Sequence, residues 1–344
     1  MIGYDGIIFA LQQAGGVSEL FVEILSRLPR PLYELIGYAD SPPIRLNGVA
    51  YRAERPRILE RYRRARLRAR YEIFHSTYYR LPADSRCAIV TTIHDYVYER
   101  FAPFQRRSAH SWQKNAAVAA SDALICVSES TRRDLLEFSG ARFADRTIVV
   151  HNGVSDVFRV LLDARIRPDV LFIGRRAGYK NFDSVVRALE TLRDLRIVCV
   201  GGGPFTELER LLLERHVPDR YEAVGYVSPE ALNRLYNESL CLAYPSLYEG
   251  FGIPILEAMR AGCPVIAVNR SSVPEVAGDA ALLLEVGSDE EIRAALQRLM
   301  DEETRDYFVQ KGVLQAARFS WESTYRQTLR VYEQVTGRSI LPSD

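Results

Sequence analysis

The stretch Pro245-Ser-Leu-Tyr-Glu249-Gly250-Phe251-Gly252-Ile-Pro254-Ile-Leu-Glu257 follows an apolar run near 239–243 that reads as a strand. Its two glycines let backbone approach a ligand closely, and Pro254 suits the first turn of a helix, whose free amides face polar ligand oxygens. Gly262 is placed to stop that helix after about two turns. Strand, glycine loop and short helix therefore present two carboxylates, Glu249 from the loop and Glu257 from the helix. Each can accept two hydroxyl hydrogen bonds, as gripping a sugar or ribose diol requires. Taken alone, such a pair is more often a solvated loop acid and a helix-dipole partner. The surrounding sequence decides between these readings.

Upstream, Leu171-Phe-Ile-Gly174-Arg175-Arg176-Ala-Gly-Tyr-Lys180-Asn181 is again a strand running through a glycine loop into a helix. Arg175 and Lys180 stand at the carboxyl end of that strand, the edge at which open α/β sheets bind ligands, and two cations there suit a diphosphate. Gln12-Gln-Ala-Gly15-Gly16-Val-Ser18 is a further glycine turn opening a helix, but it and Gly201-Gly-Gly-Pro204 both lack the dinucleotide fingerprint. His94 closes the apolar strand 89–93, which puts an imidazole at the mouth of the first sheet. The other histidines, His75, His110, His151 and His216, show no metal-site spacing, and no Asp-x-Asp occurs. These absences lead us to expect no metal.

Outward from these motifs, short apolar runs alternate with amphipathic stretches throughout, the rhythm of βα units around parallel sheets, so the fold class is α/β. Strands are expected near 2–8, 72–76, 88–93, 123–127 and 146–150, with helices near 16–28, 104–121 and 129–139. After a break at 151–168, marked by Asn152-Gly153 and by Pro168, strands are expected near 169–173, 196–200, 221–224, 239–243, 264–268 and 281–284. Helices near 181–193, 205–216, 229–237, 254–261 and 289–300 alternate with them, and two more, 303–317 and 320–336, close the chain. The expected domains are 1–160, 161–319 and a terminal segment, 320–344.

The 344 residues suffice for two cores, and 45 basic against 44 acidic side chains leave +1, which carries no nucleic-acid footprint. Charge is uneven, however. From Arg52 to Arg70 nine arginines face two glutamates, interspersed with Ile58, Leu59, Tyr62 and Leu67. This segment reads either as a solvated loop or as a basic amphipathic helix for an anionic membrane surface. Five cysteines without a Cys-x-x-Cys pair, no signal-like first residues and no long apolar run lead us to expect a cytoplasmic protein, peripheral to the inner face of the plasma membrane if that basic segment docks.

Together these motifs resemble the retaining glycosyltransferases of family 4, most specifically over Tyr244–Met259 and over Ser272-Val-Pro-Glu-Val-Ala-Gly-Asp-Ala-Ala, which look like the family's E-x7-E donor signature. The resemblance implies the GT-B fold, two facing Rossmann-like domains with a donor cleft between them. It implies that Glu249, with the backbone of Gly250, Phe251 and Gly252, contacts the transferred sugar. Glu257 would hold the ribose, Arg175 and Lys180 the diphosphate, Gly225 and Tyr226 the base. In the first domain, Gly15 and Gly16 would face the phosphates and His94 the reacting sugar. The final helix would cross back onto the first domain. The co-substrate would be a nucleoside diphosphate sugar, GDP-mannose or a GDP-deoxyhexose ahead of UDP-sugars, with no cofactor, and the acceptor a saccharide or lipid-linked saccharide of surface polysaccharide synthesis. The alternatives are a non-catalytic GT-B subunit and a GT-B sugar-nucleotide epimerase. Retention of all five polar site residues argues against the first, and the transferase form of the donor signature against the second.

Overall fold

A computed structural model describes residues 1–341 apart from 13, 14, 47, 85, 103 and 177. It resolves into two compact units, residues 1–153 with 321–344, and residues 154–320.

In the first unit, β1 (Ile2–Asp5), α1 (Ile7–Leu11), α2 (Gly16–Arg27), β2 (Tyr33–Gly37), β3 (Tyr51–Ala53), β4 (Ile73–Ser76) and β5 (Ala88–Ile93) are followed by α3 (Val97–Phe101), α4 (Phe104–Ala120), β6 (Ala123–Cys126), α5 (Glu129–Ser139) and β7 (Thr147–Val149). The strands form one parallel sheet in the order β3-β2-β1-β4-β5-β6-β7. Three expectations need correction. The first strand ends at Asp5 rather than residue 8, because the Gly6 amide turns to bond the Ile36 carbonyl and α1 begins at Ile7. Strands β2 and β3 were not foreseen, being short and placed toward one edge. Finally, the arginine-rich segment is not an amphipathic helix. It begins in β3, passes Pro56, and contains only a three-residue 3-10 turn at Glu60–Tyr62, preceded by Leu59 at φ 57°. Proline and a left-handed residue interrupt any helix.

The second unit contains β8 (Arg167–Ile173), α6 (Phe182–Ala188), β9 (Arg196–Val200), α7 (Glu207–His216), β10 (Tyr221–Gly225) and α8 (Pro229–Glu238). It continues with β11 (Ser239–Tyr244), α9 (Ile253–Arg260), β12 (Val265–Val268), α10 (Val273–Ala277), β13 (Leu282–Leu284), α11 (Asp289–Leu299) and α12 (Glu302–Ala316). All six strands are parallel, in the order β10-β9-β8-β11-β12-β13. Strand order reverses between β8 and β11, the switch point at which doubly wound sheets open a crevice at the carboxyl ends. Val170, Phe172, Ile197, Cys199, Ile266 and Leu296 are among the side chains of a continuous buried core. Capping boxes at Thr206–Glu209 and Ser288–Glu291 start α7 and α11.

Residues 154–160 go with this second unit: Val154 pairs with Ser320, and Phe158 meets the Tyr236 ring edge-on at 5.9 Å. The last helix, α13 (Trp321–Thr336), belongs to the first unit. There the Tyr332 hydroxyl lies 2.6 Å from both Tyr4 Oη and His75 Nδ1 in a buried cluster. Four of the five cysteines are buried and all are free. Among the described residues no helix is long and apolar enough to cross a membrane.

Candidate active site

The loops after β8 and β11 flank the switch point of the second sheet, and both carry the polar residues singled out from the sequence. The β11 loop is held by two serines of the segment before α10. Ser271 Oγ accepts from the Glu249 amide at 2.8 Å, and Ser272, fully buried, donates to the carbonyls of Glu249 at 3.0 Å and Phe251 at 2.9 Å. Phe251 is buried and meets Phe319 edge-on at 5.9 Å. Gly252 turns into α9 at φ 102°, a conformation that only glycine takes without strain. α9 ends at Arg260 with Gly262 at φ 74°, the stop its sequence indicated.

The Leu247 amide donates 2.8 Å to the Tyr179 carbonyl, which ties this loop to the turn Gly178–Lys180. Across that tie Lys180 Nζ reaches Glu249 Oε1 at 2.5 Å and Tyr244 Oη at 3.3 Å, both charged side chains being 13% exposed. Burial, and next the Glu249 carboxylate, raise the Tyr244 hydroxyl well above its ordinary pKa, so it remains a donor. Glu257, half-buried, accepts from Tyr236 Oη at 3.1 Å; burial and Glu257 likewise keep that phenol protonated.

The two arginines after β8 have different surroundings. The Arg176 side chain is 2% exposed; it donates to Glu209 at 2.9 Å and to the carbonyls of Gly203 at 2.9 Å and Pro204 at 3.0 Å, with its guanidinium 4.7 Å from the Phe205 ring centre. It braces the Gly201–Pro204 turn. A Cβ at Gly202 would meet the Gly174 carbonyl at 2.5 Å, so that turn passes directly against the β8 loop. Arg175 is exposed. Gly225 ends β10 at φ 74° with its carbonyl accepting from Gly201 N at 2.7 Å, and Tyr226 beside it is 75% exposed. Tyr244, Tyr236, Ser271 and Arg176 were not singled out in the sequence. Tyr244 and Arg176 do lie within the quoted stretches and Ser271 adjoins one, a signal that could have found them.

In the first unit, Gly15 and Gly16 are exposed at the start of α2, with Ser18 Oγ donating 2.9 Å to the Gly15 carbonyl; Gln13 and Ala14 of that turn lie outside the described residues. His94 follows β5, packs edge-on against Phe21 of α2 at 6.1 Å, and has a buried Nε2 without a partner among the described residues. The Lys114 ammonium, itself fully buried, holds the adjacent turn through the Asp95 carbonyl at 2.7 Å and Glu99 at 2.8 Å. Burial, and next Lys114, push the His94 imidazole down to about 3; burial, and next His94, do the same to His75. Both rings are therefore neutral near pH 7.

A folded value near 3 against about 6.5 in the unfolded chain means that the unfolded state binds protons first as pH falls. Each histidine then removes up to about 1.4 kcal/mol of stability per pH unit below 6.5. Asp5, pushed up to about 6 by burial, works in the opposite direction below pH 6. The first unit's melting temperature is expected to drop between pH 7.5 and 5, and His75→Asn to flatten that slope. A wild-type melting temperature constant over this range would refute the burial argument.

Comparison with known proteins identifies the family. The model for "Glycosyltransferase Family 4" matches residues 10–157, and that for "Glycosyl transferases group 1" matches residues 158–315. An O-antigen chain mannosyltransferase B of Escherichia coli is 29% identical over 283 residues, 76% of this chain and 74% of that protein. A serotype-specific mannosyltransferase WbdA, also of Escherichia coli, is 27% identical over 234 residues, 61% of this chain but 28% of WbdA. Among solved structures, Anabaena Alr3699/HepE in complex with UDP and glucose aligns over 96% of this chain and 99% of its own, with a TM-score of 0.75 at 15% identity. The chain thus belongs to glycosyltransferase family 4 and has the GT-B fold, with two Rossmann-like domains built on parallel sheets.

Proposed function

We propose that this glycosyltransferase moves a mannose from GDP-mannose to a hydroxyl of a saccharide or lipid-linked saccharide in surface polysaccharide assembly, with retention at the anomeric carbon and without a metal. The observation that carries the reading is the Lys180–Glu249 contact beside an exposed Arg175 at the switch point of the second sheet. The cations suit a nucleoside diphosphate, and Glu249 suits the hydroxyls of the sugar attached to it. Glu257 would take the ribose hydroxyls, Gly225 and Tyr226 the base. The amides at Gly15 and Gly16 would face the phosphates and neutral His94 the reacting sugar.

In the step itself, the acceptor oxygen bonds to the anomeric carbon on the face that the phosphate oxygen leaves. The departing phosphate takes the acceptor proton. The chain's part is to position both partners and to stabilise the charge that develops on the diphosphate. Mannose is favoured by the two mannosyltransferase relatives. UDP-glucose is the second reading, favoured by the UDP and glucose bound to the HepE protein.

The test is nucleoside diphosphate release from GDP-mannose, GDP-deoxyhexoses and UDP-sugars, with and without polysaccharide acceptor and with EDTA present. Acceptor-stimulated GDP release insensitive to EDTA is expected. Turnover with UDP-sugars alone would overturn the donor, and loss of activity in EDTA the metal independence.

A further inference from the structure

The segment 55–64 of the first unit has its polarity inverted. Its acid is inside: Glu60 is buried, bonded by Arg57 at 2.8 Å and by fully buried Arg80 at 2.6 Å. Its aliphatic side chains are outside, Ile58 at 85% and Leu59 at 68% exposure, with Tyr62 at 43%. A loop that merely solvates itself would reverse this arrangement.

Nor is the exposure a sign of loose structure. Arg63 Nε donates 2.9 Å to the Ile58 carbonyl, Arg80 Nε 2.8 Å to the Arg63 carbonyl, and Arg64 Nη1 3.1 Å to the Pro82 carbonyl. From α4, Gln113 donates 2.7 Å to the Arg61 carbonyl, and its neighbour Trp112 is 68% exposed. The loop is thus braced on two sides while it holds its apolar tip in solvent.

Charge surrounds the tip. Of the nine arginines between 52 and 70, three are ion-paired: Arg52 with Glu34 and Glu54, Arg57 with Glu60, and Arg68 with Glu54. Arg55, Arg61, Arg63, Arg64, Arg66 and Arg70 have no carboxylate partner among the described residues, and all but half-buried Arg61 are exposed. Two aliphatic side chains at a tip, a tyrosine in the same loop and unneutralised guanidinium groups around them match the layers of an anionic bilayer surface: acyl boundary, headgroup level and phosphate.

We propose that this braced loop docks the protein on anionic phospholipid, with Ile58 and Leu59 entering the acyl boundary and Arg55, Arg63, Arg64, Arg66 and Arg70 pairing with headgroup phosphates. The inference rests on neither the donor nor the acceptor assigned above.

Co-sedimentation of the full chain with phosphatidylcholine vesicles, with and without phosphatidylglycerol, tests it. Binding should require phosphatidylglycerol and weaken with salt. The triple variant Arg55→Ser, Arg66→Ser, Arg70→Ser, which removes no side-chain bond described here, should lose on the order of 100-fold in affinity, at about fivefold per cation. Ile58→Glu with Leu59→Glu should lose at least about tenfold with an unchanged melting curve. Equal binding to neutral vesicles, or wild-type binding by both variants, would overturn the proposal. So would a self-association, seen by sedimentation velocity, that the double variant abolishes while no vesicle binding occurs, because the tip would then be an interface between copies of this chain.

Discussion

Replacing Lys180 by alanine is expected to lower kcat/KM by roughly 10²–10³-fold, the range seen when a preorganised charge-stabilising donor is removed. Lys180 meets Glu249 at 2.5 Å and stands on the loop whose other cation, Arg175, is exposed. If it only neutralised Glu249, then Lys180→Ala combined with Glu249→Gln would recover most of the lost activity, since the uncompensated carboxylate would be gone. If it also stabilises the leaving diphosphate, the double variant stays as slow as Lys180→Ala. We expect the second result, a non-additive pair with no recovery. Arg175→Ala should cost less, about 10–100-fold, as a single charged hydrogen bond worth ~1.5–3 kcal/mol. Near-wild-type rates in both single variants would remove the diphosphate clamp from the mechanism.

That prediction depends on a contact the sequence did not contain. Arg175, Lys180 and Glu249 were each visible, because strand, glycine loop and helix is a local pattern. That Lys180 closes on Glu249 across 69 positions follows only from the pairing of β8 with β11. The choice of Arg175 over Arg176 for ligand contact agrees with the surroundings of each, since Arg176 is spent on Glu209 and the Gly201–Pro204 turn. Most β-strands of the second unit were legible because they are buried apolar runs bounded by turn residues, as in Arg196–Val200 and Ser239–Tyr244, whereas no residue of Tyr221–Gly225 is buried. In the first unit β2 carries Glu34 as its second residue and β3 is three residues long with none of them buried, so neither rises above its surroundings. The basic segment shows the limit of reading charge by counting: its composition suited a helix, but Glu34, Glu54 and Glu60 pair with some of its arginines and an extended loop results.

The residue in that region with the largest expected effect on stability is one the composition did not mark. Arg80 is fully buried and follows β4. It donates to Asp5 Oδ1 at 2.8 Å, to Glu60 Oε1 at 2.6 Å and to Tyr38 Oη at 2.5 Å, while Asp5 Oδ2 has no partner among the described residues. Burial would raise the Glu60 carboxyl, but bonds from Arg57 and the charge of Arg80 hold it at about 2; Asp5, more deeply buried, lies near 6. Arg80→Met fills similar volume yet leaves two acids without this cation, a change that costs about 3–5 kcal/mol in buried pairs. The pH dependence separates this cause from a packing defect. Without Arg80, Asp5 binds its proton still more tightly than in the wild type, so its contribution is retained below about pH 4 and lost as pH rises through its folded value. Arg80→Met should therefore be most destabilised, relative to wild type, at pH 8 and least at pH 5, and adding Asp5→Asn should restore part of the loss at pH 8. Because Arg80 also holds the Arg63 carbonyl at 2.8 Å, the same variant should loosen the loop that carries Ile58 and Leu59, measured as faster amide exchange over residues 57–63. A pH-independent loss with unchanged exchange would mean that Arg80 is no more than filler in the core.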